Sequence, residues 1–239
     1  MSASRRAELD AGLHAVRRRV AAACAEAGRD EHDVHLVVIT KTFPAADVRL
    51  LADLGVTDVG ENRHQEAAAK HAECADLPLV WHFVGALQTN KAAAVAEYSH
   101  VVHAVDRLRL VYALGRATQR TGRRLRCLVQ VNLDPTGDDT GVIGRRSGAA
   151  PQDVPALADA LAEHPQLEVA GVMGVAPLGG EPEHAFARLA QVSADLRAHH
   201  PGATVVSAGM SADLEAAVRS GATHVRVGSA VLGERPPNR

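Results

Sequence analysis

The chain has 239 residues, a formal net charge of −2 at pH 7 and a pI near 6.7. This balance provides no basic patch for nucleic acid or for an anionic membrane surface, so we expect neither as a partner. No apolar stretch approaches the roughly 20 residues needed to span a bilayer, and residues 1–10 lack the apolar core of a signal peptide. The sequence therefore predicts a cytoplasmic protein.

Composition favours one α/β domain over residues 1–239. Hydrophobic residues make up 46% of the chain, yet it has only three Phe, two Tyr and one Trp, so the core is expected to consist of small aliphatic side chains. Such cores are typical of helices packed on a parallel sheet. Cys24, Cys74 and Cys127 lack metal-ligand spacing, so we predict reduced, mostly buried thiols and no metal site.

Helical and strand patterns alternate along most of the chain. A first helix is predicted within residues 1–28, with Leu9, Leu13, Val16 and Val20 on one stripe. Strands are predicted at residues 34–40, 56–60, 79–84, 101–104, 125–133, 169–175, 204–207 and 223–227, with intervening helices that include 44–54, 61–73, 89–97 and 107–121. Eight strands separated by helices indicate a single (β/α)8 TIM barrel over residues 34–235 with an extra N-terminal helix. A doubly wound open sheet is the alternative, weakened by the absence of GxGxxG after the first strand.

Lys41 stands at the carboxyl end of the first predicted strand, directly after the apolar run at residues 34–40. In a TIM barrel, the loops at the carboxyl ends of the strands form the active site, and a lysine in that place can attack an aldehyde. Asn62, Ser211, Gly228 and Ser229 follow other predicted strands at the same end. The sequence therefore predicts one site that contains an amine and several hydrogen-bonding groups.

Two of these turns favour a phosphate site. Ser211 is predicted to cap a helix at residues 212–220, and Gly228 with Ser229 opens a short helix at 230–233. Either serine alone could be only a cap, but TIM barrels typically bind phosphate after strands seven and eight. Together with Lys41, such a site predicts a phosphorylated aldehyde or ketone as ligand. Pyridoxal 5'-phosphate (PLP) is the leading candidate, and the sugar phosphate of a class I aldolase is its competitor.

Arg226 bears on that choice. It lies two residues before Gly228, so strand alternation points it into the barrel, where an aliphatic side chain is usual. A buried arginine needs an acceptor. One acceptor would be the pyridine nitrogen of PLP, which a guanidinium donor would keep unprotonated. The alternative is a buried ion pair with Asp58 or Glu61.

At these residues the sequence closely resembles the pyridoxal phosphate homeostasis protein family, whose barrel is shared with the N-terminal domain of bacterial alanine racemase. The matching strings are ITKTFP at 39–44, GENRHQE at 60–66, WHFVGALQTNK at 81–91, GMSAD at 209–213 and VRVGS at 225–229. The resemblance implies a Schiff base between Lys41 and PLP, phosphate bound by Ser211, Gly228 and Ser229, and Arg226 at the pyridine nitrogen. Asn62 and His82 would line the pocket.

The sequence departs from the family pattern at a few positions. Ala208 stands where methionine is usual, Leu232 stands where phenylalanine is usual, and the irregular segment at 135–148 does not match the common pattern. That segment is either a mobile loop over the site or a surface insertion, and its composition favours the insertion.

The resemblance leaves two functions open. A carrier would hold PLP for buffering or for transfer to PLP-dependent apoenzymes, with little or no turnover, whereas a weak amino-acid racemase would use Lys41 as its base. The racemase fold employs a tyrosine base from a second domain, but neither Tyr98 nor Tyr112 follows a predicted strand. A neutral pyridine opposite Arg226 is also a poorer electron sink. We therefore expect a carrier and, without a second domain, a monomer.

Overall fold

The computed structural model describes residues 2–134, 148–177 and 179–234. Within these residues, eight parallel strands close into a barrel in chain order, and β8 pairs with β1. The strands are β1 (His35–Ile39), β2 (Asp58–Glu61), β3 (Val80–Phe83), β4 (Val101–Val105), β5 (Leu125–Gln130), β6 (Leu167–Met173), β7 (Val205–Ser207) and β8 (His224–Val227). The predicted TIM barrel is confirmed, and the open doubly wound sheet was wrong.

Helices surround the barrel: the first precedes β1, and one helix follows each of the eight strands. They are α1 (Ser2–Glu26), α2 (Ala45–Asp53), α3 (His64–Glu73), α4 (Ala92–Ala96), α5 (Leu108–Thr121), α6 (Val154–Ala162), α7 (Pro182–His199), α8 (Leu214–Arg219) and α9 (Ser229–Leu232). Short 3-10 turns at Glu31–Asp33, Thr89–Lys91 and Pro151–Asp153 precede β1, α4 and α6. All three cysteines are buried and free, as expected. No helix of the described ranges has the length and apolar character needed to cross a bilayer.

The helix after β2 starts three residues later than predicted. The sequence indicated a helix at 61–73, but Glu61 is the last residue of β2 and pairs in register with Phe83. Arg63 is still extended, with φ −126° and ψ 121°, and α3 begins at His64. The difference arises because the Glu61 carboxylate takes part in a buried ion cluster against the sheet, which helical propensity alone does not reveal.

The first helix packs along the outside of the barrel through its predicted stripe. Leu9 and Leu13 are fully buried, and Val16 and Val20 are nearly so. Gly12 allows a close approach, because a Cβ at this position would lie 2.5 Å from the carbonyl oxygen of Val231. The contact fixes α1 against α9, the short helix that follows the Gly228 turn. A larger residue at position 12 would separate the two helices.

Inside the barrel, polar side chains occupy places that branched aliphatic residues usually fill. His103 is fully buried, and burial lowers the pKa of this imidazole well below its ordinary value, with the neighbouring His82 adding to the effect. Burial also lowers the pKa of His224 to about 3. Both rings are therefore neutral in the folded protein near neutral pH.

These two histidines predict a loss of stability in mild acid. The pKa is depressed in the folded state, so the unfolded chain binds more protons as the pH falls below about 6.5, and unfolding is favoured. With its pKa of about 3, His224 should cost about 2 kcal/mol of unfolding free energy between pH 7 and pH 5, and His103 should add a loss of the same sign. Urea unfolding at both pH values would measure the loss. His224→Asn should reduce this loss of unfolding free energy by about 2 kcal/mol. His184→Asn, at a side chain that is 85% exposed, should leave the loss unchanged. An equal loss in His224→Asn and wild type would contradict this account.

Candidate functional site

The carboxyl end of the barrel brings together the side chains that the sequence singled out. Lys41 is half-buried and lies two residues beyond Ile39, the last residue of β1. Asn62 directly follows β2, and Gly228 with Ser229 follows β8. Gly85, after β3, packs so closely on Asn62 that a Cβ would lie 2.2 Å from the Asn62 carbonyl oxygen. These turns therefore share one rim of the barrel.

The backbone next to Lys41 is strained. Thr42 has φ 70°, and it is the one non-glycine residue with positive φ among the described residues. A threonine in the left-handed region costs on the order of 1–3 kcal/mol and persists only where surrounding contacts impose it. Here the backbone N–H of Thr42 donates to the Glu66 carboxylate. Strain of this kind concentrates at functional sites, which directs attention to the adjacent Lys41.

A buried ion cluster fixes the backbone around Lys41. The Lys70 ammonium donates to the carbonyl oxygen of Thr40 at 2.7 Å, to Glu61 Oε1 at 2.7 Å and to Glu66 Oε1 at 2.6 Å. The Thr40 hydroxyl donates to the same Glu61 oxygen at 2.6 Å. Burial raises the pKa of the Glu61 carboxyl, and the charge and hydrogen bond of Lys70 counteract that rise. The cluster thus fixes the backbone on both sides of Lys41.

Sequence reasoning missed Lys70. The residue is 5% exposed, although lysine is rarely buried without partners. The available signal was the spacing of Glu66 and Lys70, which lie four residues apart on α3 and form an ion pair. Taken alone, that spacing predicts only a solvent-exposed pair, because the third partner, Glu61, comes from the preceding strand.

Ser211 and Ser229 meet at the predicted phosphate turns. Their hydroxyl oxygens lie 3.2 Å apart, and the backbone N–H of Ala230 donates to Ser211 Oγ at 3.4 Å. The predicted N-cap role of Ser211 was wrong, because α8 begins at Leu214 with Asp213 in the cap position. Ser211 reaches across to the start of α9 instead. Gly228 precedes that helix as predicted, so two hydroxyls and a helix start converge at one point of the rim.

Arg226 is buried inside the barrel, 5% exposed, as strand alternation predicted. Its Nη1 donates to Ser207 Oγ at 2.7 Å and its Nη2 to the carbonyl oxygen of Gly174 at 3.0 Å. Both acceptors lie at the carboxyl ends of their strands. Burial lowers the pKa of Arg226 to about 10, partly offset by the charge of Asp213, so the guanidinium remains protonated at neutral pH.

The alternative ion pair of Arg226 is not formed. Asp58 accepts hydrogen bonds from His82 and Thr57, and Glu61 accepts them from Thr40 and Lys70. Among the described residues, no carboxylate is hydrogen-bonded to Arg226. A guanidinium has five N–H donors, and the contacts to Ser207 and Gly174 use one on each terminal nitrogen. Donors therefore remain for a ligand.

His82 lies elsewhere than the family resemblance implied. It pairs in register with Gly60, one residue before the ends of both strands, and its ring is buried within the barrel. Its two nitrogens contact Asp58 Oδ1 and His103 Nε2, each at 2.8 Å. The imidazole also lines a cavity at the amino-terminal ends of the strands. The hydrogen bond to Asp58, at the amino-terminal end of β2, holds the ring away from the carboxyl end of the barrel.

The departures from the family pattern fall on packing positions or outside the described residues. Ala208 and Leu232 are both buried at 1% exposure, and Leu232 belongs to the apolar cluster that contains α1. The irregular segment predicted at 135–148 lies outside the described residues except for Gly148.

Comparisons with known proteins show to which family the chain belongs. The family model described as alanine racemase, N-terminal domain, matches residues 12–236. The Pyridoxal phosphate homeostasis protein of Mycobacterium bovis is 44% identical over 97% of this chain and 94% of its own length. This chain belongs to the pyridoxal phosphate homeostasis protein family. Another member, from Pseudomonas aeruginosa, is 43% identical over 91% of each chain.

Solved structures extend the comparison. The fold of this chain matches that of PipY from Synechococcus elongatus, solved with PLP bound. The TM-score is 0.80 and the identity 34%, over 94% of this chain and all of that one. Alanine racemase from Corynebacterium glutamicum matches with a TM-score of 0.64 and 18% identity over 92% of this chain and 60% of that chain. The racemase likeness shows the shared barrel alone.

Proposed function

We propose that this protein binds PLP at the carboxyl end of its barrel and serves PLP homeostasis by buffering the cofactor and transferring it to apoenzymes. The observation that carries the proposal is the convergence of Lys41, the Ser211 and Ser229 hydroxyls and the buried Arg226 at that end. The chain shares 34% identity with PipY, whose structure holds PLP. When bound, PLP supplies an aldehyde, a phosphate and a ring nitrogen, and each has a suitable partner here.

Lys41 is the lysine best placed to bind the aldehyde as a Schiff base. The chain has three lysines, at positions 41, 70 and 91. The Lys70 ammonium is buried and bound to three oxygens within 2.7 Å, so it could react only after an ion cluster was broken. Lys91 ends a 3-10 turn after β3. Of the three, only Lys41 lies within two residues of the end of a barrel strand, next to the strained Thr42.

The phosphate and the ring nitrogen would be bound by the opposite side of the rim. Ser211 and Ser229 present hydroxyls 3.2 Å apart beside the start of α9, an arrangement that suits a phosphate through several short hydrogen bonds. Arg226 stays protonated and would donate to the pyridine nitrogen, keeping that nitrogen unprotonated. Asn62, on the same rim, would contact the ring or its substituents.

This arrangement favours a carrier over a racemase. An unprotonated pyridine is a weak electron sink, so carbanion chemistry receives little help. Of the two tyrosines in the chain, Tyr98 is buried and stacks on His64, while Tyr112 lies on α5 and is 42% exposed. Neither is available as a base at the rim. We also infer that the protein acts in the cytoplasm as a monomer.

Three measurements test the proposed function. The purified protein should take up PLP and develop the visible absorption band of a Schiff base. The PLP-loaded protein should restore activity to a PLP-dependent apoenzyme when the two are mixed directly. Incubation with L- and D-alanine in deuterated water should give Cα exchange far slower than the order of ~1 per second that ordinary turnover requires. A protein that stays colourless with excess PLP would contradict cofactor binding, and exchange at ordinary turnover rates would contradict the carrier role.

A further inference from the structure

A continuous chain of hydrogen bonds crosses the barrel interior. Arg226 Nη1 lies 2.7 Å from Ser207 Oγ, Ser207 Oγ lies 3.1 Å from His103 Nδ1, and His103 Nε2 lies 2.8 Å from His82 Nδ1. His82 Nε2 then lies 2.8 Å from Asp58 Oδ1. Four of these five side chains are buried, and the fifth, Asp58, is 16% exposed. This series of hydrogen bonds connects β8, β7, β4, β3 and β2.

For neutral imidazoles, the chemistry of the two ends fixes the direction of every hydrogen bond. Arg226 can only donate, so Ser207 accepts from it and has one proton of its own to give. Asp58 is an acceptor: burial raises the pKa of its carboxyl, but hydrogen bonds from His82 and Thr57 outweigh burial and lower it. His82 Nε2 must therefore carry a proton towards Asp58.

The two histidines between these ends are then determined. A neutral imidazole has one donor nitrogen and one acceptor nitrogen. With Nε2 of His82 protonated, its Nδ1 accepts, so His103 donates from Nε2. The Nδ1 of His103 consequently accepts the Ser207 proton. Each donor meets one acceptor along the whole row, and all the bonds point from the guanidinium to the carboxylate.

We infer that Asp58, His82, His103 and Ser207 form a polarised relay that positions Arg226 and supports its charge from the opposite end of the barrel. Hydrogen bonds aligned in one direction strengthen one another in a low-dielectric interior. A cation at one end and an anion at the other stabilise the same polarity. The four residues act through Arg226 and not on a ligand, so they are positioning residues.

The far end of the relay opens into a cavity of about 690 Å³ at the amino-terminal ends of the strands. Its walls include His35, Asp58, His82, Arg126, Thr204 and His224. Asp58 also accepts from the Thr57 hydroxyl at 2.6 Å, and His224 and His35 stack with ring centroids 4.8 Å apart. The relay therefore joins a water-accessible carboxylate to a buried cation at the proposed cofactor site.

The first test needs no cofactor. Histidine labelled with 15N in the protein without PLP should show the Nε2-protonated tautomer for both His82 and His103 at neutral pH. The same tautomers should persist in Asp33→Asn, a variant of an exposed carboxylate that lines the same cavity outside the relay. A protonated Nδ1 on His103 would overturn the inference, whether or not PLP binds.

The second test rests on the proposed function, because it uses PLP. Adding PLP should shift the ring nitrogen resonances of His103 and His82 in wild type and in Asp33→Asn, since contact with Arg226 changes the polarity of the row. Ser207→Ala removes the link between His103 and Arg226, so the PLP-induced shifts should be lost while the visible cofactor band persists. Shifts of equal size in Ser207→Ala would contradict the relay. Absence of any PLP band in wild type would instead contradict the proposed function and leave the tautomer result as the test of the relay.

Discussion

Lys70→Ala is expected to lower the free energy of unfolding by about 3–5 kcal/mol, the usual cost of breaking a buried ion pair by removing one partner. The variant would leave the Glu61 carboxylate, 1% exposed, with the Thr40 hydroxyl as its remaining close partner in the cluster. It would also remove the hydrogen bond to the Thr40 carbonyl. Urea unfolding monitored by circular dichroism would measure the loss.

Two variants serve as controls for Lys70→Ala. The double variant Lys70→Met with Glu61→Gln removes the two most buried charges of the cluster, keeps side-chain volume and leaves only Glu66, which is 26% exposed. It should therefore recover a substantial part of the loss, because uncompensated buried charge is the main cost. Lys91→Ala, at the end of a 3-10 turn, should stay within about 0.5 kcal/mol of wild type. A loss for Lys70→Ala no larger than that of Lys91→Ala would show that the cluster does not stabilise the fold.

Lys41→Ala is expected to weaken PLP binding on the order of 100-fold or more, about 2.7 kcal/mol, because the covalent bond is lost and only phosphate and ring contacts remain. The visible Schiff-base band should disappear with it. Equilibrium titration of the protein with PLP, followed by absorbance and by the quenching of Trp81 fluorescence, would give both results. Lys41 is half-buried at the rim, so the fold should tolerate the change.

Lys91→Ala is the matched control for this second effect as well. It removes the other half-buried lysine without touching the Lys70 cluster. Its PLP affinity and absorption band should equal those of wild type. A normal band in Lys41→Ala together with a lost band in Lys91→Ala would place the Schiff base on Lys91 and contradict its assignment to Lys41.

The barrel and the rim residues could be predicted from the sequence because both follow from local pattern. Apolar runs at the strands, glycine stops and a helix after each strand define the alternation, and parallel strands place their carboxyl ends together. Lys41, Asn62 and Gly228 therefore fall on one rim once the strands are located. Arg226 also obeyed a local rule, because alternation points it into the barrel.

Features that depend on contacts between distant segments could not be predicted in this way. Ser211 is a residue type typical of an N-cap, yet its hydroxyl contacts Ser229 on another turn. Lys70 is buried because Thr40 and Glu61 meet it from two strands. His82 bonds to His103 and Asp58 from the neighbouring strands. Each of these interactions compensates a buried polar group with a partner that only the closed barrel brings near.

The most direct test of PLP binding at Lys41 is reductive trapping followed by peptide mapping. Borohydride reduction of the PLP-loaded protein should fix the cofactor on one lysine, and the chain offers three. Because Arg29 and Arg49 flank Lys41, trypsin should release a modified peptide covering residues 30–49, uncut at Lys41. We expect the phosphopyridoxyl mass on that peptide alone. Label on the peptides that contain Lys70 or Lys91, with Lys41 unmodified, would contradict the central claim.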